Sequence, residues 1–96
     1  MEKILKIGVC EGRHEMPVEK YIYGQQVNPL DVNELETQAE KRLLELKGDC
    51  NQLHLYVTGL TVAVIAAIKA AIKMFDSVVL LHYNRDSNSY YQQKFK

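Results

Sequence analysis

The chain reads Tyr56-Val57-Thr58-Gly59-Leu60-Thr61 just ahead of an alanine-rich run. A glycine lets main chain approach a ligand closely, and the unpaired amides that open a helix, with hydroxyls beside them, suit a phosphate. Thr58, Gly59, Leu60 and Thr61 therefore form a candidate anion cradle. The competing reading is local: Thr58 or Thr61 caps the helix and Gly59 makes the turn. The segment lacks the lysine and spacing of a Walker loop and is no GxGxxG fingerprint.

Arg13 and Arg85 fall in connections predicted at the same edge as this cradle. A guanidinium can grip phosphate through two parallel hydrogen bonds, so an otherwise neutral protein would gain a local positive pocket. Taken singly, each arginine also reads as a solvated turn residue. His14, beside Arg13, and His82, near Tyr83 and Arg85, are candidate general acids or bases, because imidazole titrates near neutrality. His54 lies mid-strand and reads as a packed or interface residue. No His, Cys, Asp or Glu set has metal-ligand spacing, Cys10 and His14 standing alone, so no metal site is expected. There is no Ser-His-Asp signature or nucleophile elbow either. Tyr21, Tyr23, Tyr83, Tyr90 and Tyr91 gather in predicted return strands and a turn, where packing is the default and stacking on a base the functional option.

Those residues sit in 96 residues, enough for one hydrophobic core. Twelve Lys and Arg balance twelve Asp and Glu for a formal net charge of +0, which excludes the charge excess of a protein that coats long nucleic acid. The most apolar stretch, Leu53 to Ile68, is interrupted by Thr58, Gly59 and Thr61 and is too short to span a bilayer. The amino terminus alternates charge and apolarity without a signal core. Two cysteines make no disulfide framework, and reduced thiols fit a cytoplasmic setting.

Lys3 to Val9 reads as a strand, and Val18 to Tyr23 as its return, with Pro17 marking an edge, so the sheet is expected to start as a hairpin. Asp31 and Glu34 have capping-box spacing, and Val32, Leu35, Ala39, Leu43 and Leu46 recur at helical intervals up to Gly48, predicting a helix over 31–47. Leu53–Val57 is a short strand and Leu60–Phe75 a second helix, broken only by the stripe of Lys69 and Lys73. Ser77–Tyr83 is a core strand, and Tyr90–Phe95 returns after a polar turn.

The order β-β-α-β-α-β-β predicts a single α/β domain with a parallel central sheet and hairpin edge strands. If both crossovers progress in one direction, both helices share a face, and the other face would show Lys6, Gly8, His54, Tyr56 and His82. Such a semi-polar aromatic surface is expected to meet a second copy of the chain; if the strand order instead reverses, the helices split between faces and that expectation lapses.

From about His54 to Phe95, the Thr-Gly-x-Thr turn and the segment Leu81-His82-Tyr83-Asn84-Arg85 with its tyrosine-containing hairpin resemble small CARF-like proteins of type III CRISPR systems, among which are ring nucleases. The resemblance covers less than half the chain. It implies a Rossmann-like fold, a homodimer, and a cyclic oligoadenylate bound across the two-fold axis by loops at the strand ends. It further implies cleavage without metal or other cofactor, the ribose 2'-hydroxyl attacking the adjacent phosphate. Carried over, Thr58, Gly59 and Thr61 would hold phosphate, with Leu60 and Asn84 beside them; Arg13 and His14, outside the matched stretch, are expected at the ligand only from their predicted place at the same edge. Arg85 would stabilise the charge that builds up, and Thr61 and His82 would stand beside it in the catalytic group. Binding without cleavage, or a purely structural subunit, are the other classes the sequence permits.

Overall fold

A computed structural model describes residues 3–11, 17–24, 27–57 and 60–96. The elements are β1 (Ile4–Cys10), β2 (Tyr21–Tyr23), α1 (Val32–Lys47), β3 (Gln52–Val57), α2 (Thr61–Met74), β4 (Ser77–Asn84) and β5 (Ser89–Lys94). They build one five-stranded mixed sheet in the order β2-β1-β3-β4-β5. β1, β3 and β4 run parallel, with Gly8 opposite Tyr56 and Val57 opposite His82. β5 turns back antiparallel on β4, pairing His82 with Tyr91 and Tyr83 with Tyr90. Asn88 takes a positive φ of 52° in that turn, a conformation asparagine tolerates.

Local signals explain the helices. The Asp31 carboxylate accepts a hydrogen bond from the Glu34 amide at 3.1 Å, capping α1 as its spacing predicts. At the other end Gly48 adopts a φ of 54°, which a side chain would disfavour.

The hairpin expected at the start is corrected. β2 lies parallel to β1, with Gly8 opposite Tyr21 and Cys10 opposite Tyr23. A tight turn cannot join parallel strands. The two helical crossovers, β2 to β3 and β3 to β4, progress in one direction across the sheet, so α1 and α2 share one face. Val18, just ahead of β2, packs on the opposite face against Tyr56, Val79 and Leu81. The mostly parallel α/β expectation holds, and both helices share one face as expected for crossovers that progress in one direction; the strand order and the parallel β1–β2 edge differ from the Rossmann-like topology expected.

The main core lies under the helices. Ile7, Val9, Leu53, Leu55, Val78 and Leu80 from the sheet meet Leu35, Ala39 and Leu43 of α1 and Ala63, Ala66, Ala67, Ala70 and Ala71 of α2. The alanines let α2 approach closely. Lys69 and Lys73, the predicted charged stripe, pair with Glu36 and Glu40 of α1 and tie the helices together at the surface. Tyr23 adds a buried bond, its hydroxyl donating to the Leu35 carbonyl at 2.7 Å, and burial pushes that phenol's pKa well up.

The second face departs from expectation in two ways. Tyr56, Val79 and Leu81 are already buried there within one chain, beneath Val18, Tyr21 and Tyr90, and Gly8 is buried too. His82 does not belong to this face. It aligns with Val57 and alternates with Leu81 and Tyr83, so it shares the helix side with Leu80 and Val78. Leu55, fully buried at the centre of the main core, sets the first prediction. Leu55→Ala is expected to cost about 2–5 kcal/mol, read as a lower urea midpoint at unchanged slope; a loss under ~1 kcal/mol would show the core is loosely packed there.

Candidate functional site

The strand order reverses direction between β1 and β3. The connection from β1 leads outward to β2 and that from β3 the other way to β4, so the carboxyl ends of β1 and β3 form the topological switch point where open α/β sheets bind ligands. Cys10 and Glu11 end β1, Val57 ends β3, and Leu60 leads into α2. The parallel register sets Asn84 and Arg85, at the end of β4, on the same edge.

Sequence reasoning placed its site at this edge. Thr61 is exposed on the first turn of α2. The Ala63 and Val64 amides both donate to the Leu60 carbonyl at 3.1 Å. Leu60, the N-cap residue, contributes no side-chain cap, and the first turn carries no acidic residue. The positive end of the helix dipole is thus not neutralised by the helix's own side chains, which suits an anion. Thr58 and Gly59 of the cradle, and Arg13 and His14 of the β1 connection, lie outside the described residues.

Arg85 is exposed at the tip of the β4–β5 turn and takes no ion-pair partner among the described residues. Asn84 shapes that turn, its carboxamide oxygen accepting from the Asp86 amide at 3.0 Å. Tyr83 reinforces it through a hydroxyl hydrogen bond to the Asn88 side chain. Both contacts fix the backbone on which the Arg85 side chain is carried.

His82 occupies the same face and the same end of the sheet as the start of α2, because α2 packs on that face and begins where β3 ends. Its Nε2 lies 2.7 Å from the Gln93 Oε1, and its ring sits 5.3 Å from that of Tyr91. That bond and the ring contact fix the orientation of the imidazole. Sequence reasoning missed Gln93 and Tyr91 as the groups that orient His82. Hairpin pairing across Asn84 and Ser89 was the signal available for them.

The tyrosines behave as packing predicts. Tyr56 and Tyr90 meet edge to face at 5.0 Å, and Tyr83 lies 5.4 Å from Tyr90. Burial, then the neighbouring phenols, raises the Tyr90 pKa. No set of three or more His, Cys, Asp or Glu is arranged to hold a metal ion among the described residues. No described helix is long and apolar enough to cross a membrane.

Comparison with known protein families, curated proteins and solved structures returned no match.

His54 is separate from this edge, half-buried on the other face in mid-strand, where the Gln52 amide nitrogen stands 3.3 Å from its Nε2. Burial, and secondly the charge of Lys6, holds its pKa below the ordinary 6.5. The unfolded chain therefore takes up this proton at higher pH than the folded one. The stability due to neutral His54 is full above about 6.5 and is lost as pH falls from there through the folded-state value. An NMR titration should give His54 a midpoint below 6.5, and His54→Gln should flatten the acid slope of stability over that window. A midpoint at or above 6.5 would contradict the burial assigned here.

Proposed function

We propose that this chain binds a cyclic oligoadenylate at the carboxyl edge of its sheet and cleaves it, acting as a homodimeric ring nuclease of Rossmann-like architecture. The carrying observation is the switch point itself, where the β1 and β3 connections part beside a helix start that has no acidic residue and no side-chain cap from Leu60. Arg85, on the same edge and without an ion-pair partner among the described residues, supports the reading. The sequence resemblance over His54–Phe95 supplies the ligand class.

In this reading the amides at the start of α2 hold a phosphate, and Thr61, with Thr58 and Gly59, completes the cradle. Leu60 and Asn84 line it, as do Arg13 and His14 from the β1 connection. The ribose 2'-hydroxyl attacks the adjacent phosphorus as its proton leaves. The bond to the 5'-oxygen breaks and that oxygen takes a proton, giving a 2',3'-cyclic phosphate end and a 5'-hydroxyl. Arg85 offsets the charge that grows on the phosphoryl oxygens, and aligned donors of this kind supply much of such a rate enhancement. His82 serves as proton acceptor, with Gln93 fixing its ring. A second reading, binding without turnover, draws on the same bond, because an imidazole held on the sheet by Gln93 is less free to reach a reacting group.

The test is incubation with cyclic tetra- and hexa-adenylate in the presence of a chelator, with products resolved by chromatography and binding measured in parallel. Cleavage to linear products ending in a cyclic phosphate is expected, and binding without cleavage selects the second reading. Arg85→Ala is expected to weaken binding or turnover about 10-fold or more, as loss of a charge-assisted bond does. Neither binding nor cleavage of either ring would overturn both readings.

A further inference from the structure

On the face of the sheet turned away from the helices, the apolar residues Tyr56, Val79 and Leu81 are already buried beneath Val18, Tyr21 and Tyr90. What stays open there is polar. Strand register sets Lys6 opposite His54, His54 opposite Val79 and Val79 opposite Lys94, so one row crosses four strands with a lysine at each end. Alternation puts the row on this face, because the strand neighbours Ile7, Leu53, Leu55, Val78 and Leu80 belong to the helix-side core. Both lysines are exposed and His54 is half-buried. Three strand spacings separate the two lysine backbones by about 14 Å.

Charge along this row has one sign. Neither Lys6 nor Lys94 takes an ion-pair partner among the described residues. A groove of about 570 Å³ opens beside Lys6, walled by Pro17, Val18, Glu19 and Lys20. Glu19 is acidic, but Lys20 stands next to it and offsets it. Asp49, at the amino edge, is engaged by Lys3, and the Lys96 ammonium bonds the Ile72 and Phe75 carbonyls on the helix side. A row of like charges repels a copy of itself, so its complement is an anion that reaches across the sheet. Between the lysines lie flat, uncharged groups: the His54 ring, with the Gln52 amide nitrogen 3.3 Å from its Nε2, and the Gln92 carboxamide in the next row. Rings and amides suit the planes and edges of nucleobases, which open sheet faces present in this way. A carboxylate-rich peptide would use the lysines alone.

We infer that this row binds a short single-stranded oligonucleotide, with phosphates on Lys6 and Lys94 and a base over His54. The chain's net charge of +0 fits a short strand met locally and not a long one coated along its length. The row lies on the opposite face of the sheet from α2 and below the carboxyl edge, since Tyr56 and Val57 follow His54 toward that edge. It is therefore separate from the site of the function proposed above, goes beyond that reading and does not rest on it.

Fluorescence anisotropy on the whole chain tests it, with labelled oligouridylate and oligothymidylate of about ten nucleotides as probes that carry no adenine. Binding of at least one probe is expected, and the tighter of the two names the sugar preferred. Affinity should fall with salt at a logarithmic slope of about −1.4, the value for two neutralised phosphates of a single strand. Lys6→Gln/Lys94→Gln should weaken binding about 10-fold or more and flatten that slope. Lys41→Glu makes the same change of two charges on the exposed side of α1 and should leave both unchanged. Amide shifts on binding should centre on Lys6, His54 and Lys94, with Leu60 and Arg85 unmoved. No binding of either probe at low salt, an equal loss in Lys41→Glu, or competition by oligoglutamate as strong as by the nucleotides would each overturn the inference. Failure of cyclic oligoadenylate to bind at the carboxyl edge would count against the proposed function alone.

Discussion

Parallel strands must be joined over a face of the sheet, and the joining path is right-handed. Nearly everything about this chain follows from that constraint acting on the order β2-β1-β3-β4-β5. The chain moves outward from β1 to β2, then back past β1 and on to β4, which sends both helices over one face. The same change of direction makes the carboxyl ends of β1 and β3 the switch point of the sheet. Core, second face and candidate site are thus three consequences of one topological choice.

Packing then decides what each face can do. On the helix side, alanines at five buried positions bring α2 close to sheet and partner helix. Of its large apolar side chains, Ile65 and Ile72 stay exposed, while Val62, Val64, Ile68 and Met74 pack against the core. On the other side, Val18 and the tyrosines close over Val79 and Leu81, so this face is largely satisfied within the chain. The ion pairs between α1 and α2 are exposed, and pairs of this kind add little stability.

Much of the architecture was legible in the sequence because short-range chemistry wrote it. Asp31, Glu34 and Gly48 bound α1, and the alternation of β-formers placed β3, β4 and the β4–β5 turn. The β1–β2 relation was not legible. Gly12-Arg13-His14 and Pro17 read as turn and edge signals, but strand direction is set by which partner offers burial, and nothing in residues 11–20 encodes that locally. His82 shows the same limit in miniature. Its face follows from parity with Leu80 and Val78, and counting from Leu55 across the wrong register moves it to the other side. At the site, Thr61, Asn84 and Arg85 were placed at the correct edge because each follows or precedes a well-signalled element. Gln93 and Tyr91, which orient His82, depend on hairpin register and were passed over.

The central claim is that the carboxyl edge of the sheet, where the β1 and β3 connections part, is where this protein meets its ligand. Mapping backbone amide resonances during titration with cyclic tetra-adenylate tests it directly. The account predicts shifts centred on Leu60, Thr61 and Val62 and on Arg85, with Asn51 and Ser77 at the opposite edge unmoved. Shifts centred on Asn51 and Ser77, or none at saturating ligand, would contradict it.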